Sequence, residues 1–165
     1  MDILDRYLGY EAWTLRHFLV RCREVTPAQF HQRFDIGHGT LYDTTAHIIS
    51  NLEVWTDLMR ERPVRQLSPL PDAIDACLER FDAAMSDFAD CAHVLAASSR
   101  LDETYVDVLD DPPAPKTFGG AILHVLSHTT VHRWEMQHLL QRLGLSDLLE
   151  GDALSWEGRL RHQAE

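Results

Sequence analysis

The chain has 165 residues, and its 15 lysines and arginines against 26 aspartates and glutamates give a net charge of −11 with histidine neutral. A chain of this length removes roughly 70% of its unfolded surface from water, so we expect one domain over residues 1–165 that folds without disulfides or a structural metal. The negative charge opposes binding to phosphate backbones and anionic headgroups, which excludes nucleic acid and membrane surfaces as expected partners.

The N-terminus and the cysteines predict a cytoplasmic location. The opening residues Met1-Asp2-Ile3-Leu4 lack the basic segment and apolar run of a signal peptide, and no apolar stretch approaches the ~20 residues of a membrane span. Cys22, Cys77 and Cys91 lie far apart and form no CxxC pair. We therefore expect small buried or surface cysteines in a reducing compartment, with neither a disulfide framework nor a thiolate zinc site.

The first third of the chain predicts two long helices separated by a short one. Apolar residues at steps of three and four indicate an amphipathic helix over residues 2–25. Thr26-Pro27-Ala28-Gln29 combines an N-cap threonine, a proline at the first helical position and a glutamine at the third, which predicts a short helical turn before Gly37 and Gly39. A second long helix is predicted over residues 40–61, ending before a proline.

The remaining chain predicts two more long helices. Residues 63–71 are expected to form a loop, and residues 72–97 a third long helix without glycine or proline. Residues 100–116 are too rich in proline for a helix and suggest one short extended piece. Thr117 precedes a helix that ends at Gly144, and one short turn is expected in the tail. The sequence thus predicts an all-α four-helix bundle and leaves the order of its crossovers open.

Histidines are concentrated in the last long helix, where four of the ten lie between residues 124 and 138. His128 and His132 are four residues apart on its apolar face, so their imidazoles project side by side and can bind one metal ion. The spacing alone is weak evidence, since random placement of ten histidines would give about half such a pair. The alternative is a pair of neutral core histidines, but each would need hydrogen-bond partners for both ring nitrogens.

A third ligand is expected from a neighbouring helix, because zinc sites use three or four protein ligands. His47 is the best candidate, since it borders the apolar arc of the second long helix. Asn51 and Glu135, each one turn from a predicted ligand, are candidates to orient the rings, although ordinary surface or core positions fit them equally well. We expect five other histidines to lie in solvent or in loops, away from the bundle axis, and therefore not to be ligands: His31, His38, His93, His138 and His162.

The arrangement of these motifs resembles the DinB/YfiT-like family of metalloenzymes. The resemblance is carried by Thr44-Thr45-Ala46-His47-Ile48-Ile49 and, about eighty residues later, by the segment from His124 to Arg133 with its His-x-x-x-His-Arg pattern. It covers nearly the whole chain and implies a four-helix bundle with metal ligands His47, His128 and His132. The family pattern continues with glycine and glutamine after the arginine, where this chain has Trp134 and Glu135.

The resemblance implies a reaction class as well as a metal site. Characterised members of the family include thiol transferases and isomerases that use low-molecular-weight thiols such as bacillithiol or mycothiol. We therefore expect one divalent ion, zinc or nickel, and a thiol S-transferase acting on a small thiol and an electrophilic substrate. The alternatives are a metal-dependent hydrolase that uses activated water, and a non-enzymatic stress-response dimer that binds metal. The loops at 63–71 and 100–116 are expected to build the substrate pocket.

A homodimer is expected from the last long helix. Leu123, Leu126 and Trp134 point away from the face of this helix that carries His128 and His132. A monomer would not usually expose three large apolar side chains together on one helix. The alternative is that the first helix or the loop before the last helix covers them.

Overall fold

The computed structural model describes residues 1–163, and most of them are helical. Its elements in chain order are α1 (Ile3–Arg21), a 3-10 turn (Cys22–Glu24), α2 (Pro27–Phe30), α3 (Leu41–Met59), α4 (Ile74–Ala97), β1 (Thr104–Asp107), β2 (Ala114–Thr117), α5 (Phe118–Arg142) and α6 (Ala153–Gln163). The long helices α1, α3, α4 and α5 pack as a bundle, which confirms the predicted fold class.

Side-chain caps set the starts of the helices that carry the site. The Thr40 hydroxyl accepts a hydrogen bond from the Asp43 amide at 2.8 Å and begins α3. The Thr117 hydroxyl accepts one from the Gly120 amide at 3.1 Å and begins α5. Each cap satisfies one of the amide groups that a helix N-terminus leaves unpaired. The predicted capping box at Thr26 is also present and begins α2.

The consecutive helices α3 and α4 run parallel to each other. Glu53 pairs with Arg80 at 2.7 Å and Arg60 pairs with Asp87 at 2.9 Å, so residue numbers increase in the same direction along both helices. Parallel neighbours need a connection that returns along the helix, and the segment between α3 and α4 does so by running back over α3. The predicted loop at 63–71 is therefore the crossover connection of the bundle.

The other helix pairs complete the topology. Contacts that run in opposite directions make α1 antiparallel to α4 (Asp5 with His93, Arg23 with Asp75) and α3 antiparallel to α5 (Trp55 with His124, His47 with His132). The bundle is thus arranged up, down, down, up, with each long helix packed on two neighbours. The sequence had left the order of the crossovers open, and the structure provides it.

Two elements are larger than the sequence indicated. Residues 104–117 form an antiparallel hairpin of two strands rather than one extended piece, with Thr104 opposite Thr117 and Asp107 opposite Ala114. The tail forms the helix α6 instead of a single turn, and the indole of its Trp156 packs against Gly9 of α1. A Cβ atom at Gly9 would lie 2.7 Å from that indole, so the contact depends on glycine.

The core lies between the four long helices and contains all three cysteines as free, buried thiols. Burial raises the pKa of the Cys22 thiol to about 12, which makes it unreactive at neutral pH. None of the described helices carries an apolar stretch long enough to cross a membrane.

Candidate metal centre

The three histidines predicted as ligands lie together where α3 and α5 face each other. The ring centroids of His47 and His132 are 4.6 Å apart, those of His47 and His128 are 5.1 Å apart, and those of His128 and His132 are 4.3 Å apart. His132 is buried, and the other two are half-buried. The i, i+4 spacing on α5 and the antiparallel packing of α3 bring the rings to one point.

The Nδ1 atoms of His132 and His128 contact Glu135 and Asn51, the two residues that the sequence offered as candidates to orient these rings. A Glu135 carboxylate oxygen lies 2.8 Å from Nδ1 of His132, and the Asn51 amide lies 3.4 Å from Nδ1 of His128. A carboxylate that accepts a hydrogen bond from Nδ1 keeps the ring proton on that atom, and the lone pair of Nε2 is then free to bind a metal ion. The Glu135 carboxylate therefore favours coordination through Nε2 of His132. The Asn51 amide nitrogen donates to Nδ1 of His128, so coordination through Nε2 of His128 requires the Asn51 amide to turn its oxygen toward that ring.

The Nε2 atoms of His47, His128 and His132 are the candidate metal-binding atoms. Nε2 of His128 and Nε2 of His132 face each other at 3.2 Å. Two imidazole nitrogens bound tetrahedrally to zinc at about 2.0–2.1 Å are separated by roughly 3.3 Å. Nε2 of His47 is buried and has no hydrogen-bond partner among the described residues. A buried nitrogen without a partner costs free energy, and a bound cation would be a suitable partner for it.

The prediction that His38 stays away from the bundle axis was wrong. Its ring centroid lies 4.1 Å from that of His47 and 4.9 Å from that of His132. Ligand atoms of these three residues lie within 4.8 Å of one another, and this group does not include His128. His38 comes from the connection between α2 and α3, where periodicity gives no information on side-chain direction. The one signal in the sequence was its position between Gly37 and Gly39, two residues that permit a tight loop.

Two imidazoles of the site have lowered pKa values. Burial lowers the pKa of His47 to about 4, and the neighbouring rings of His38, His132 and His128 add to the effect. Burial also lowers the pKa of His128, again with help from the adjacent histidines. At neutral pH the His47 and His128 rings are therefore uncharged, and an uncharged imidazole is the form that binds a metal ion.

Four of the histidines expected outside the centre do lie outside it. His31 and His93 are exposed and bind Asp72 and Asp5, each at 3.0 Å. His138 and His162 are exposed as well. His124 lies one turn before His128 on α5, and its ring is next to Trp55 at a centroid distance of 4.9 Å. Lys116 of the hairpin lies over the same indole, so residues of the 100–116 segment approach this end of the site.

Arg133, which follows the last predicted ligand, has a structural role in this chain. Its guanidinium is buried, donates to the Gly151 carbonyl at 2.7 Å and to the Tyr10 hydroxyl, and lies 3.7 Å from the Glu11 carboxylate. It thereby holds the segment before α6 and the helix α1 against α5. Of the two residues that depart from the family pattern, Trp134 is half exposed, at 50%, and Glu135 is the carboxylate on His132.

Comparisons with known proteins agree with this architecture. A sequence profile of the DinB superfamily matches residues 12–136. The fold is similar to the crystal structure of a DinB-like protein from Bacillus cereus ATCC 10987, with a TM-score of 0.64, 18% sequence identity, and coverage of 83% of this chain and 88% of that one. The comparison with curated proteins found no match. Because the profile covers most of the chain, including all three predicted ligands, the chain belongs to the DinB superfamily.

Proposed function

We propose that the chain is a metal-dependent enzyme that binds one divalent ion, zinc or nickel, through His47, His128 and His132 and transfers a low-molecular-weight thiol to an electrophilic substrate. The metal site is supported by the spacing of two Nε2 atoms and by the burial of a third. Two Nε2 atoms face each other at 3.2 Å, and the third is buried without a partner among the described residues. The thiol chemistry is proposed by analogy with characterised members of the family.

The donor set supports catalysis more than a purely structural role. A divalent ion held by neutral imidazoles keeps its full positive charge and acts as a Lewis acid, which lowers the pKa of a thiol or of water. The chain's own residues supply orientation: Glu135 and Asn51 hold the His132 and His128 rings, and the buried side of α5 excludes water from beneath them. The substrates would enter on the half-exposed side, where His38 and His128 lie.

The reaction is tested with apo protein reloaded with Zn²⁺ or Ni²⁺ and a panel of thiols, including bacillithiol and mycothiol, against electrophilic carbon substrates. We expect thiol consumption that depends on both the ion and the electrophile. Turnover of ester or amide substrates without added thiol would instead support the hydrolase alternative. Absence of both activities from the metal-loaded protein would favour a non-enzymatic metal-binding protein.

The ligands are tested by His132→Ala, with His138→Ala on the same helix as the matched control. His132→Ala should lose tight metal binding, because it removes a ligand and the contact with Glu135. It should remain helical by circular dichroism, since a core of this size does not depend on metal. His138 is exposed, so its variant should bind metal like the wild type. Stoichiometric metal of unchanged affinity in His132→Ala would contradict the proposed centre.

We also propose a homodimer through the exposed face of α5. Leu123, Val131 and Trp134 are 61%, 56% and 50% exposed on this helix. Leu126, which was expected on the same face, is instead buried within the chain at 3% exposure. The apolar surface available to a partner is therefore smaller than the sequence indicated, but it still places three large side chains in solvent.

A further inference from the structure

The histidine centre contains one ring more than the three ligands described above, and this ring comes from a loop. His38 is half-buried, and its imidazole lies against His47 at 4.1 Å between centroids with an interplanar angle of 32°. Its ligand nitrogen lies within 4.8 Å of ligand nitrogens on both His47 and His132. Nitrogens that share a tetrahedral zinc ion are roughly 3.3 Å apart, so these separations must shorten by at most about 1.5 Å for His38 to share an ion.

The loop that carries His38 is held in place on both sides of the ring. The Gly39 carbonyl accepts a hydrogen bond from the Phe34 amide at 2.7 Å, and the Gly39 amide donates to the Ile36 carbonyl at 2.8 Å. Gly37 has φ +46° and Gly39 has φ +89°, so the backbone at both flanking positions lies in the left-handed region. The ring is thus presented by a shaped turn and not by a free terminus.

The loop is also seated on the carboxylate that orients His132. A Cβ atom on Gly37 would lie 2.3 Å from the carboxylate of Glu135, so the glycine leaves the space that this side chain occupies. The guanidinium of Arg142 lies 4.7 Å from the ring centre of Phe34 and anchors the start of the turn on α5. The position of His38 is therefore coupled to the position of His132 through Glu135.

We infer that His38 is a fourth, displaceable ligand of the metal centre, which occupies the open position in the resting protein and is replaced by an incoming thiolate or other anionic donor. The inference rests on the proposed metal site. The other three ligands are fixed on helices, and two of them are held by Asn51 and Glu135. Of the four rings, His38 is the one that comes from a loop and not from a helix, so it is the ligand that leaves most easily. The exchange is a substitution in which one nitrogen leaves the ion and one donor atom takes its place.

Co²⁺ bound to the apo protein provides a direct count of the ligands. In the ¹H NMR spectrum of the Co²⁺ protein, each coordinated imidazole contributes one exchangeable N–H signal, which the paramagnetic ion shifts outside the normal proton range. We expect four such signals from the wild type and three from His38→Ala, with His38→Gln as a second variant that keeps the size of the side chain. His31→Ala is the matched control, because His31 lies on the same connection but binds Asp72 instead of the centre.

Azide tests whether the ligand is displaceable. Because azide must compete with His38 in the wild type but not in the variants, its affinity for the Co²⁺ protein should rise about tenfold or more in His38→Ala and His38→Gln and stay unchanged in His31→Ala. Three shifted signals in the wild type, or equal azide affinity in wild type and His38 variants, would show that His38 only stacks on His47 and would overturn the inference while leaving the three-histidine site intact. A wild type that binds no Co²⁺ would overturn the proposed function as well.

Discussion

The carboxylate of Glu135 offers the sharpest test of how the centre is held. Its side chain is 18% exposed and contacts Nδ1 of His132 at 2.8 Å. Glu135→Gln keeps the shape but removes the charge that fixes the His132 tautomer. Replacing a residue of this kind next to a metal ligand costs 10–100-fold in metal affinity, or roughly 1.4–2.7 kcal/mol. Because the side chain is largely shielded from water, we expect a loss within this range and not the near-zero effect of an exposed charge.

The affinity is measured by competition with a chelator on apo protein, with Glu79→Gln as control. Glu79 is exposed on α4 and its substitution changes the net charge equally. The ¹⁵N chemical shifts of the His132 ring give a second readout, since loss of the carboxylate should shift the tautomer balance away from the Nδ1–H form. Metal affinity within twofold of the wild type, together with an unchanged tautomer, would refute the assignment of Glu135 as the residue that orients His132.

Three further predictions concern stability and assembly. Arg133→Met should lower the free energy of unfolding in urea by about 3–5 kcal/mol, because it leaves the buried Glu11 carboxylate without its cation, and the loss should be smaller in a Glu11→Gln background. Burial would raise the pKa of Asp57, but hydrogen bonds from Arg65 and Arg62 outweigh it and hold the pKa well below its ordinary value. Its contribution to stability is therefore present above about pH 4 and lost as the pH falls further, and Asp57→Asn should abolish that acid-dependent part of the unfolding curve. Trp134→Arg should convert the proposed dimer to a monomer in sedimentation at micromolar concentration, and an unchanged mass would contradict the α5 interface.

The helices and their caps were predictable from the sequence because they depend on local patterns. Thr40 and Thr117 are N-cap residues at the start of amphipathic stretches, and the structure begins α3 and α5 directly after them. The direction of each helix was not predictable in this way. The parallel packing of α3 on α4 depends on pairs such as Glu53 with Arg80, whose partners lie on different helices. The segment 63–71, which the sequence indicated only as a loop, is therefore the crossover connection.

The candidate site shows the same division between local and long-range information. His128 and His132 share a face of one helix, so their proximity follows from the 3.6-residue period. The choice of His47 as the third residue depended on its position at the edge of the apolar arc of its helix, and the family resemblance implied the same residue. His38 was missed because its position depends on a turn with two positive φ angles, and such geometry places a side chain without any periodic signal.

Residues on two sides of α5 have different roles, one side carrying the histidine centre and the other making contacts that stabilise the fold. His128, His132 and Glu135 face α3 and the His38 loop, whereas Arg133 binds Gly151 and lies against Glu11 on the side of α1. The polar contacts that hold α1 and the segment before α6 against this helix are therefore made by a residue outside the histidine centre. A bound ion stabilises the fold only through its own affinity, by mass action, and its removal leaves the buried Arg133 network intact. This arrangement allows the histidine side of α5 to exchange ligands while the opposite side of the same turns stays fixed.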